Sequence, residues 1–435
     1  MTRTLAKSRV CGKLRAIASK SDFHRLLIAA SLAEQPCKIM LEDAPSNDIL
    51  ATVDCLNALG ASITMEGGKI RVAPIKRTSD ECWLDCGESG STLRFLLPIA
   101  AAHGKKASFI GKGKLPQRPI KPLLDELLRH GVKIREDAHA MLAIEGQLRA
   151  GDYGLPGNVS SQFVSGLLFA LPLLEGNSTV CITSPLESSG YADMTIQTLR
   201  RFGIRIEAID NGWAIAGGQS YRSPCECLRP EGDWSNAAFW LAAGALAGDV
   251  SVAGLDANSM QPDRQIADVL RKMGADISPD LTVRQTALRA IDFDASGAPD
   301  LVPIVSVLMA LAEGASHITN AARLRVKECD RLQAVAETIN ALGGDCVAHA
   351  DGLTIRGVAR FKDAALDSYN DHRIAMSIAV AGLRTQGALS LTRAEAVQKS
   401  YPHFWEDYDA VCAFDDAGIP QDAESIERIR KFRNG

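Results

Sequence analysis

A dense group of charged residues stands in one short segment, in the order Arg323-Leu-Arg325-Val-Lys327-Glu328-Cys-Asp330-Arg331. Arg323, Arg325 and Lys327 alternate with apolar residues, and the alternation predicts a strand with these three cations on one face. A helical apolar pattern starts directly after Arg331. Cations that converge where a strand meets a helix suit a substrate that carries phosphate or carboxylate groups. A solvated, charged helix end would have the same composition, so both interpretations stay open at this point.

Short polar segments precede six nearly apolar segments, which are predicted to be buried helices. The polar segments are Ser19-Lys20-Ser21, Glu88-Ser89-Gly90-Ser91, Ser160-Ser161-Gln162, Gly232-Asp233-Trp234-Ser235, Ala298-Pro299-Asp300 and Asn370-Asp371-His372-Arg373. Ser, Asp and Asn at such places satisfy the free N–H groups of a helix start. We interpret Asp233 and Ser235 as N-terminal caps of this kind.

Basic side chains at the same helix starts need another explanation. Lys20, Arg25, Arg94 and Arg373 lie at or near these starts, where a cation opposes the helix dipole. An anion bound between such cations would make the placement favourable. If three helices in each half of the chain point their N-termini at a shared centre, they form a positive cavity for phosphate and carboxylate. We prefer this interpretation to a solvated charged surface.

The helices that must position these groups recur along the chain at a nearly constant interval. The apolar helices are predicted at residues 23–34, 92–103, 163–175, 236–247, 301–313 and 374–385. Amphipathic helices are predicted at residues 49–59, 123–130, 194–202, 266–273 and 332–342, with a sixth copy at 404–411 that lacks the closing glycine. The closing glycines Gly60, Gly131, Gly203, Gly274 and Gly343 are 71, 72, 71 and 69 residues apart, and each suits a helix C′ position with positive φ. Six copies exceed one domain core and predict two α/β domains of three units.

Composition argues against several classes of function. The chain of 435 residues has a net charge of −4, so no overall basic field would attract nucleic acid or an anionic membrane. Its apolar stretches fall short of the ~20 residues that a membrane-spanning helix needs. Residues 1–20 lack the apolar core of a signal peptide, and residues 10–17 are predicted to form a first strand. The eleven cysteines have no zinc-ligand spacing, and we expect reduced thiols in a cytoplasmic protein.

A set of short motifs, taken in chain order, resembles one enzyme family. The motifs are Ser19-Lys20-Ser21-x-x-x-Arg25, Gly87-x-Ser89-Gly90-Ser91-x-x-Arg94, Arg118-Pro119, Ser160-Ser161-Gln162, Pro299-Asp300, Arg325-x-Lys327-Glu328-x-Asp330-Arg331, Asp371-His372-Arg373 and Lys399-Ser-Tyr-Pro402. They span the chain from about Val10 to Phe404 and are similar to those of the EPSP synthases (3-phosphoshikimate 1-carboxyvinyltransferases). Each motif alone is unspecific, whereas the ordered set is specific to that enolpyruvyltransferase family.

The resemblance implies a fold as well as a domain division. The enolpyruvyltransferase fold is an α/β structure of two domains, each with three βαβαββ repeats in an inside-out α/β barrel. One domain would combine residues 1–18 with 230–435, and residues 19–229 would form the other, with the active site in the cleft between them. Closing of that cleft around substrate is expected to expel water and to bring the basic groups of both domains together.

A reaction is implied by the same resemblance. The enolpyruvyl group of phosphoenolpyruvate would pass to the 5-hydroxyl of shikimate 3-phosphate through a tetrahedral intermediate, giving 5-enolpyruvylshikimate 3-phosphate and phosphate. This step belongs to the shikimate pathway, which leads to chorismate and the aromatic amino acids. No metal or organic cofactor is implied. The expected partners are the two substrates, without nucleic acid or membrane, and we expect a monomer.

Residue roles are implied position by position. Shikimate 3-phosphate would be held by Lys20, Ser21, Arg25, Ser160, Ser161, Gln162, Ser188, Tyr191, Asp300 and Lys327. Phosphoenolpyruvate would be held by Lys20, Gly90, Arg118, Gln162, Arg331, Arg373 and Lys399. The catalytic residues would be Asp300, Glu328 and Lys20. Asp300 would accept the hydroxyl proton, and Glu328 would protonate the methylene carbon.

These roles agree with the chemistry of the reaction. Addition of an alcohol needs a base, and protonation of an alkene carbon needs an acid of raised pKa, so two carboxyls in separate environments are expected. Arginine can bind phosphate or carboxylate with a bidentate fork. Simpler roles stay open: Asp300 could cap a helix, Glu328 could pair with Arg331 or Lys327, and Lys399 could lie on the surface. Arg94 is expected to support a ligand-binding residue rather than to contact ligand.

Three other functions are weighed against this one. The related enzymes that act on UDP-N-acetylglucosamine use Lys-Asn where this chain has Lys20-Ser21, and they carry a reactive Cys shortly before the position of Arg118. Residues 111–118 contain no Cys. A silent anion-binding protein of the same fold would be expected to lose Asp300, Glu328 or the arginines, all of which are present. RNA 3′-phosphate cyclisation, on related repeats, lacks support from this set of anion-binding residues.

Overall fold

The structure, a computed structural model, describes residues 1–76 and 81–412. Its contacts divide the chain into two units. The N-terminal unit contains Ala18–Glu231, and the C-terminal unit combines Met1–Ile17 with the described residues from Gly232 onward. For the acidic and then basic tail after about Val411, the sequence fits either a short helix or disorder, and that tail lies outside the described residues.

The helices in the described part of the chain follow the predicted alternation of two types. They are α1 (Lys20–Leu32), α2 (Asn47–Ala58), α3 (Gly90–Ala102), α4 (Lys121–Arg129), α5 (Ser161–Ala170), α6 (Ser189–Arg201), α7 (Trp234–Ala247), α8 (Ile266–Lys272), α9 (Val302–Ala310), α10 (Arg331–Ala341), α11 (His372–Gly382) and α12 (Phe404–Val411). Helices α1, α3 and α5 are almost entirely buried in the N-terminal unit, and α7, α9 and α11 in the C-terminal unit. None of the described helices is long and apolar enough to cross a membrane.

Short strands connect the helices. They are β1 (Thr2–Ala6), β2 (Val10–Arg15), β3 (Cys37–Met40), β4 (Ser62–Glu66), β5 (Lys69–Ala73), β6 (Glu81–Asp85), β7 (Lys106–Ile110), β8 (Lys133–Arg135), β9 (Leu142–Glu145), β10 (Asp152–Leu155), β11 (Ser178–Ile182), β12 (Ile206–Ile209), β13 (Gly212–Ile215), β14 (Cys227–Leu228), β15 (Gly248–Ala253), β16 (Asp276–Ile277), β17 (Thr282–Arg284), β18 (Asp292–Asp294), β19 (Ala315–Thr319), β20 (Asp345–His349), β21 (Gly352–Arg356), β22 (Ala365–Asp367) and β23 (Ala388–Thr392). Short 3-10 segments lie at Leu115–Gln117, Leu171–Leu173, Pro262–Gln265, Pro299–Leu301, Ala322–Val326 and Ala394–Lys399.

One sheet pattern recurs in both units. In the run β6-α3-β7-α4-β8-β9, β6 pairs parallel with β7, whereas β9 lies antiparallel between β7 and β8. The same order holds for the sheets β14-β3-β5-β4, β10-β11-β13-β12, β2-β15-β17-β16 and β18-β19-β21-β20. The remaining sheet has three strands, β22-β23-β1, and takes its last strand from the chain's N-terminus. The repeat predicted from the helix spacing, with the βαβαββ order that the family resemblance implies, is therefore confirmed.

Glycines end the amphipathic helices as predicted. Gly60, Gly131, Gly203, Gly274 and Gly343 have φ values of 106°, 96°, 81°, 85° and 79°, in the region that side chains with a Cβ rarely adopt. Because each glycine turns the chain sharply out of its helix, the next strand begins within three residues. The strand predicted at residues 10–17 is β2, which is shorter, at Val10–Arg15. Strand β1 precedes it and was not predicted, because only Leu5 of its residues is buried.

A buried carboxyl lies in the first turn of α1. Asp22 is buried, and its Oδ2 accepts a hydrogen bond from the backbone N–H of Glu231 at 2.9 Å. Burial raises the pKa of Asp22 to about 6. Since the folded protein then binds this proton more tightly than the unfolded chain does, stability is lost as the pH rises from about 4 to about 6.

We predict that Asp22→Asn removes this pH dependence and stabilises the protein at neutral pH, because the amide keeps an acceptor oxygen without the buried charge. Urea unfolding midpoints of both proteins, measured at about pH 5 and about pH 8, give the comparison. An equal change of midpoint with pH in the two proteins would contradict the prediction.

Candidate functional site

A buried guanidinium forms the centre of the charged cluster in the C-terminal unit. The side chain of Arg331, the first residue of α10, is 1% exposed. Its Nε donates to Asp371 Oδ2 at 2.7 Å, its Nη1 to Asp300 Oδ1 at 2.7 Å and its Nη2 to Glu328 Oε2 at 2.8 Å. Charge-assisted bonds of this length are strong, and together they compensate the removal of the guanidinium from water. Arg331 therefore holds together the segments that precede α9, α10 and α11.

Three of the acidic residues in this cluster lie at or just before helix starts. Asp371 caps α11 by accepting the N–H of Arg373 at 2.8 Å, and Asp330 caps α10 by accepting the N–H of Gln333 at 3.1 Å. Asp300 lies in the turn Pro299–Leu301 before α9, and its side chain forms no cap of that helix. The capping alternative for Asp300 is wrong, because its carboxylate is turned toward cations instead.

Of the two residues interpreted as caps of α7, one is a cap in the structure and the other is not. Asp233 is confirmed as the cap, since its Oδ1 accepts the N–H of Asn236 at 2.8 Å. The interpretation of Ser235 as a cap is wrong. Ser235 lies inside α7, where its hydroxyl accepts a hydrogen bond from Arg373 Nη1 at 2.5 Å. It therefore helps to orient one of the predicted phosphoenolpyruvate-binding arginines.

Asp300 is surrounded by positive charge. Arg331 Nη1 lies 2.7 Å from its carboxylate, Arg373 Nη2 3.1 Å and Lys327 Nζ 3.7 Å. Burial by itself raises the pKa of Asp300, but the charges of Arg373, Lys327 and Arg331 outweigh burial and hold that pKa well below its ordinary value. The carboxylate is therefore ionised at neutral pH and is a proton acceptor of low basicity in the ligand-free protein.

The expectation of two carboxyls in separate environments stays a prediction, although the two side chains have one partner in common. Asp300 and Glu328 share the guanidinium of Arg331, because its fork has enough donors for both and for Asp371 as well. The formal charges of these six side chains balance, with three cations opposite three carboxylates, namely Lys327, Arg331 and Arg373 opposite Asp300, Glu328 and Asp371.

The strand predicted for Arg323–Lys327 is also wrong, because residues Ala322–Val326 form a 3-10 turn. Its three-residue period sends neighbouring cations in different directions. Arg323 Nη2 donates to Ser296 O at 2.7 Å, and Arg325 Nε donates to Ala350 O at 3.1 Å. Of the three cations, Lys327 is the one whose ammonium lies beside Asp300.

Lys399 ends the last 3-10 turn of the described chain, Ala394–Lys399. The residue is 9% exposed, and its ammonium donates to the backbone oxygen of Asn370 at 2.6 Å. The alternative of a surface lysine is therefore wrong. Asn370 directly precedes Asp371, so Lys399 lies against the same helix start that carries the Arg331 cluster.

In the N-terminal unit, α1 carries two of the predicted phosphate-binding cations. Lys20 Nζ pairs with Asp48 Oδ2, in the first turn of α2, at 2.8 Å. Arg25 is buried, and burial lowers its pKa to about 10, which leaves it charged at neutral pH. Its guanidinium donates to backbone oxygens of Ser21 at 2.6 Å and Tyr191 at 2.8 Å. Its Nε also donates to the hydroxyl of Thr195 at 2.9 Å, so α1 and α6 are joined here.

Another set of polar side chains of the N-terminal unit surrounds the start of α3. Arg94 Nη1 donates to Gln162 Oε1 at 2.8 Å, and Gln162 Nε2 donates to the Ser91 hydroxyl at 2.8 Å. Arg94 therefore orients Gln162, as expected of a supporting residue. Gly90 is close to two guanidinium groups, because a Cβ at this position would lie 2.5 Å from Arg94 Nη1 and 2.9 Å from Arg118 Nη1.

The remaining predicted residues lie at the starts of α5 and α6. Ser160 caps α5 by accepting the N–H of Gln162 at 3.3 Å, and Ser161 is the first residue of that helix. Ser188 precedes α6 with a φ of 55°, and its backbone oxygen accepts the N–H of Tyr191 at 3.1 Å. The structure thus places predicted residues in both units. In the C-terminal unit they lie around Arg331, and in the N-terminal unit they lie at or within the first two turns of α1, α3, α5 and α6, except that Arg118 follows the 3-10 segment Leu115–Gln117.

Sequence reasoning gave no role to Asp48 or Thr195, gave Ser235 a capping role that it does not have, and named Asp371 only as part of a motif. A usable signal existed for Asp371, which caps a helix and stands two residues before Arg373. No local pattern links Asp48 to Lys20 or Thr195 to Arg25, since those contacts join different helices. Among the residues that the structure describes, no group of three or more His, Cys, Asp or Glu side chains is arranged to hold a metal ion.

Two units of βαβαββ repeats, with acidic and basic side chains gathered at helix starts, define the class of enolpyruvyltransferases. The enolpyruvyl transferase NikO of Streptomyces tendae has this fold, with a TM-score of 0.73, 21% identity and coverage of 94% of this chain and 96% of that one. An EPSP synthase from Acinetobacter baumannii has a TM-score of 0.78 and 27% identity, over 94% of this chain and 98% of that one. The predicted fold is confirmed.

Sequence comparisons give the family. Residues 5–408 match the family EPSP synthase (3-phosphoshikimate 1-carboxyvinyltransferase). A 3-phosphoshikimate 1-carboxyvinyltransferase of Clostridium acetobutylicum is 42% identical over 404 residues, 91% of this chain and 94% of the relative. One of Clostridium perfringens is 40% identical over 415 residues, 94% of this chain and 97% of the relative. The chain belongs to the EPSP synthase family, and the predicted enzyme class, enolpyruvyl transfer, is confirmed.

We predict that Gly90→Ala weakens phosphoenolpyruvate binding about tenfold, because the new methyl group would displace the guanidinium groups of Arg94 and Arg118. The measurement is the KM for phosphoenolpyruvate. The control is Gly154→Ala, whose Cβ would meet Thr183 at an ordinary contact distance of 3.7 Å. The prediction fails if both variants bind phosphoenolpyruvate as the unchanged protein does.

Proposed function

We propose that this chain transfers the enolpyruvyl group of phosphoenolpyruvate to the 5-hydroxyl of shikimate 3-phosphate, and that both charged groups act on this pair of substrates. The observation that carries the proposal is the sharing of Arg331 by Asp300 and Glu328. Asp300, the candidate base, and Glu328, the candidate acid, both accept hydrogen bonds from the Arg331 guanidinium. That guanidinium can itself bind phosphate or carboxylate.

Substrate binding would activate Asp300. In the ligand-free protein three cations keep this carboxylate ionised and weakly basic. When the phosphate and carboxylate of phosphoenolpyruvate engage Arg331 and Arg373, part of that positive charge is neutralised. The pKa of Asp300 then rises, because a carboxylate loses stabilisation when its cations acquire another anion. Asp300 becomes a competent acceptor for the proton of the 5-hydroxyl.

Glu328 would supply the proton that balances the addition. The 5-hydroxyl oxygen bonds to C2 of phosphoenolpyruvate, and C3 takes a proton, which gives the tetrahedral intermediate. Arg331 Nη2 holds the Glu328 carboxylate in the ligand-free protein. When Arg331 turns its donors to substrate, Glu328 becomes easier to protonate and can act as this acid. Loss of phosphate, with return of a proton from C3, gives the enol ether product.

The N-terminal unit would hold the anionic groups of both substrates. Lys20 and Arg25 suit the phosphate of shikimate 3-phosphate, with Ser21, Ser160, Ser161, Gln162, Ser188 and Tyr191 as polar contacts. Arg118 and Gly90 suit phosphoenolpyruvate, since glycine lets that anion approach the start of α3 closely. In the C-terminal unit, Lys327 would contact shikimate 3-phosphate, and Arg373 and Lys399 would contact phosphoenolpyruvate.

The proposal takes the two units as the two predicted domains of a monomeric enzyme that works in the cytoplasm without a metal or organic cofactor. All eleven cysteines are free thiols, which fits a reducing compartment.

We predict that Asp300→Asn lowers kcat by about 10²–10⁴, because the amide cannot accept the hydroxyl proton. The assay is phosphate release from phosphoenolpyruvate with shikimate 3-phosphate, and separately with UDP-N-acetylglucosamine, for which no release is expected. The control is Asp294→Asn. The Asp294 carboxylate lies in the same segment, accepts the backbone N–H of Ser296 at 2.8 Å and has further hydrogen bonds to the side chains of Ser296 and Asn320, and it has no assigned role in the reaction. Full activity of Asp300→Asn would remove Asp300 from the mechanism.

A further inference from the structure

A chain of buried hydroxyl groups lies beneath the predicted ligand-binding residues of the N-terminal unit. His24 Nδ1 is 2.8 Å from Thr52 Oγ1, Thr52 Oγ1 is 2.6 Å from Thr92 Oγ1, and Thr92 Oγ1 donates to Ser89 Oγ at 2.7 Å. All four side chains are buried. They belong to α1, α2 and the start of α3, so the chain joins three helices.

The hydrogen bonds of this series of side chains all run in one donor-to-acceptor direction. Thr92 has a single hydroxyl hydrogen, which it donates to Ser89, so Thr52 must donate to Thr92. The oxygen of Thr52 must then accept the hydrogen on His24 Nδ1. Burial, followed by the charges of Lys20 and Arg25, lowers the pKa of His24 well below its ordinary value, so the imidazole is neutral with one donor nitrogen. Donation thus runs from His24 to Ser89.

Both ends of the chain lie beside residues assigned to substrate. His24 is one helical turn after Lys20 and directly precedes Arg25. At the other end, Ser89 caps α3 by accepting the N–H of Thr92 at 3.2 Å, and Gly90 follows it. A Cβ at Gly90 would touch Arg118. The hydroxyl of Thr52 is therefore a hydrogen-bonded link between the start of α1 and the start of α3, in addition to the contacts of His24 and Arg25 with the Phe95 ring.

Packing does not explain a threonine at position 52. Thr52 is fully buried in the middle of α2, where Val would have nearly the same shape and would need no hydrogen-bond partner. Threonine hydroxyls in helices usually bond the carbonyl four residues earlier, and here that contact, to Asp48 O, is long at 3.3 Å. The shorter bonds of Thr52 go to the other helices.

We propose that Thr52 and His24 are positioning residues, which set the start of α3, with Gly90, relative to Lys20 and Arg25 on α1. The inference rests on the proposed function, because those residues are assigned to the two substrates there. Neither Thr52 nor His24 touches substrate in this scheme. Their effect passes through Thr92 and Ser89 to the first turn of α3.

The test compares Thr52→Val with Thr198→Val. Thr198 is a matched control, because it is also buried in a helix of this unit, but its hydroxyl bonds only the Met194 carbonyl, at 3.0 Å, in the described part of the chain. We expect Thr52→Val to raise the KM for phosphoenolpyruvate about tenfold with a smaller change in kcat, and Thr52→Ser to restore it. Thr198→Val should leave that KM unchanged even where it loses as much stability in urea.

A second measurement does not depend on activity. Amide hydrogen exchange in the first turn of α3 should be faster in Thr52→Val than in the unchanged protein, and unaffected in Thr198→Val. Equal KM values and equal exchange in the two valine variants would overturn the inference. Should the unchanged protein release no phosphate, the proposed function fails, whereas the exchange result still decides whether Thr52 positions α3.

Discussion

The structure of the C-terminal unit depends on one buried guanidinium and the three carboxylates that surround it. Arg331 is 1% exposed and donates to Asp300, Glu328 and Asp371. Removing one partner of a buried ion pair leaves an uncompensated charge, which typically costs about 3–5 kcal/mol. The cluster is therefore held as a unit, and an anion that competes for Arg331 must change the surroundings of both Asp300 and Glu328 at once. This competition links substrate binding to the acid and base assigned to the reaction.

The repeated architecture brings these groups together. Each buried helix starts at a polar segment, so three such helices in one unit place three sets of side chains near one centre. In the C-terminal unit, the first turns of α7 and α11 supply Ser235 and Arg373, and the turn before α9 supplies Asp300. Arg373 contacts both of the other two residues. In the N-terminal unit, Arg25 joins α1 to α6, and Arg94 joins α3 to α5. Hydroxyl, carboxylate, amide and backbone oxygens then fix the direction of these cations.

Much of the fold could be predicted because its signals are local and periodic. The glycine spacing gave the repeat, since each glycine adopts the positive φ that its helix end requires. The alternation at Arg323–Lys327 misled, because a 3-10 turn and a strand can carry the same pattern of charges over five residues. The pairing of Glu328 with Arg331, three residues away, was an alternative in the sequence analysis. The bond from Arg331 to Asp300 could not be predicted from local spacing, because it joins segments 31 residues apart. The family motifs named most of the charged residues but not the partners that orient them, such as Asp48 and Ser235.

The most direct test of the central interaction is the pKa of Asp300 in the ligand-free protein. A carbon-13 NMR titration can follow its carboxyl carbon, assigned by comparison with the Asp300→Asn variant. If Arg331, Arg373 and Lys327 act as described, the carboxyl stays ionised when the pH reaches 3.8, the ordinary pKa of this group. Half-protonation at or above that pH would contradict the cluster's control of Asp300.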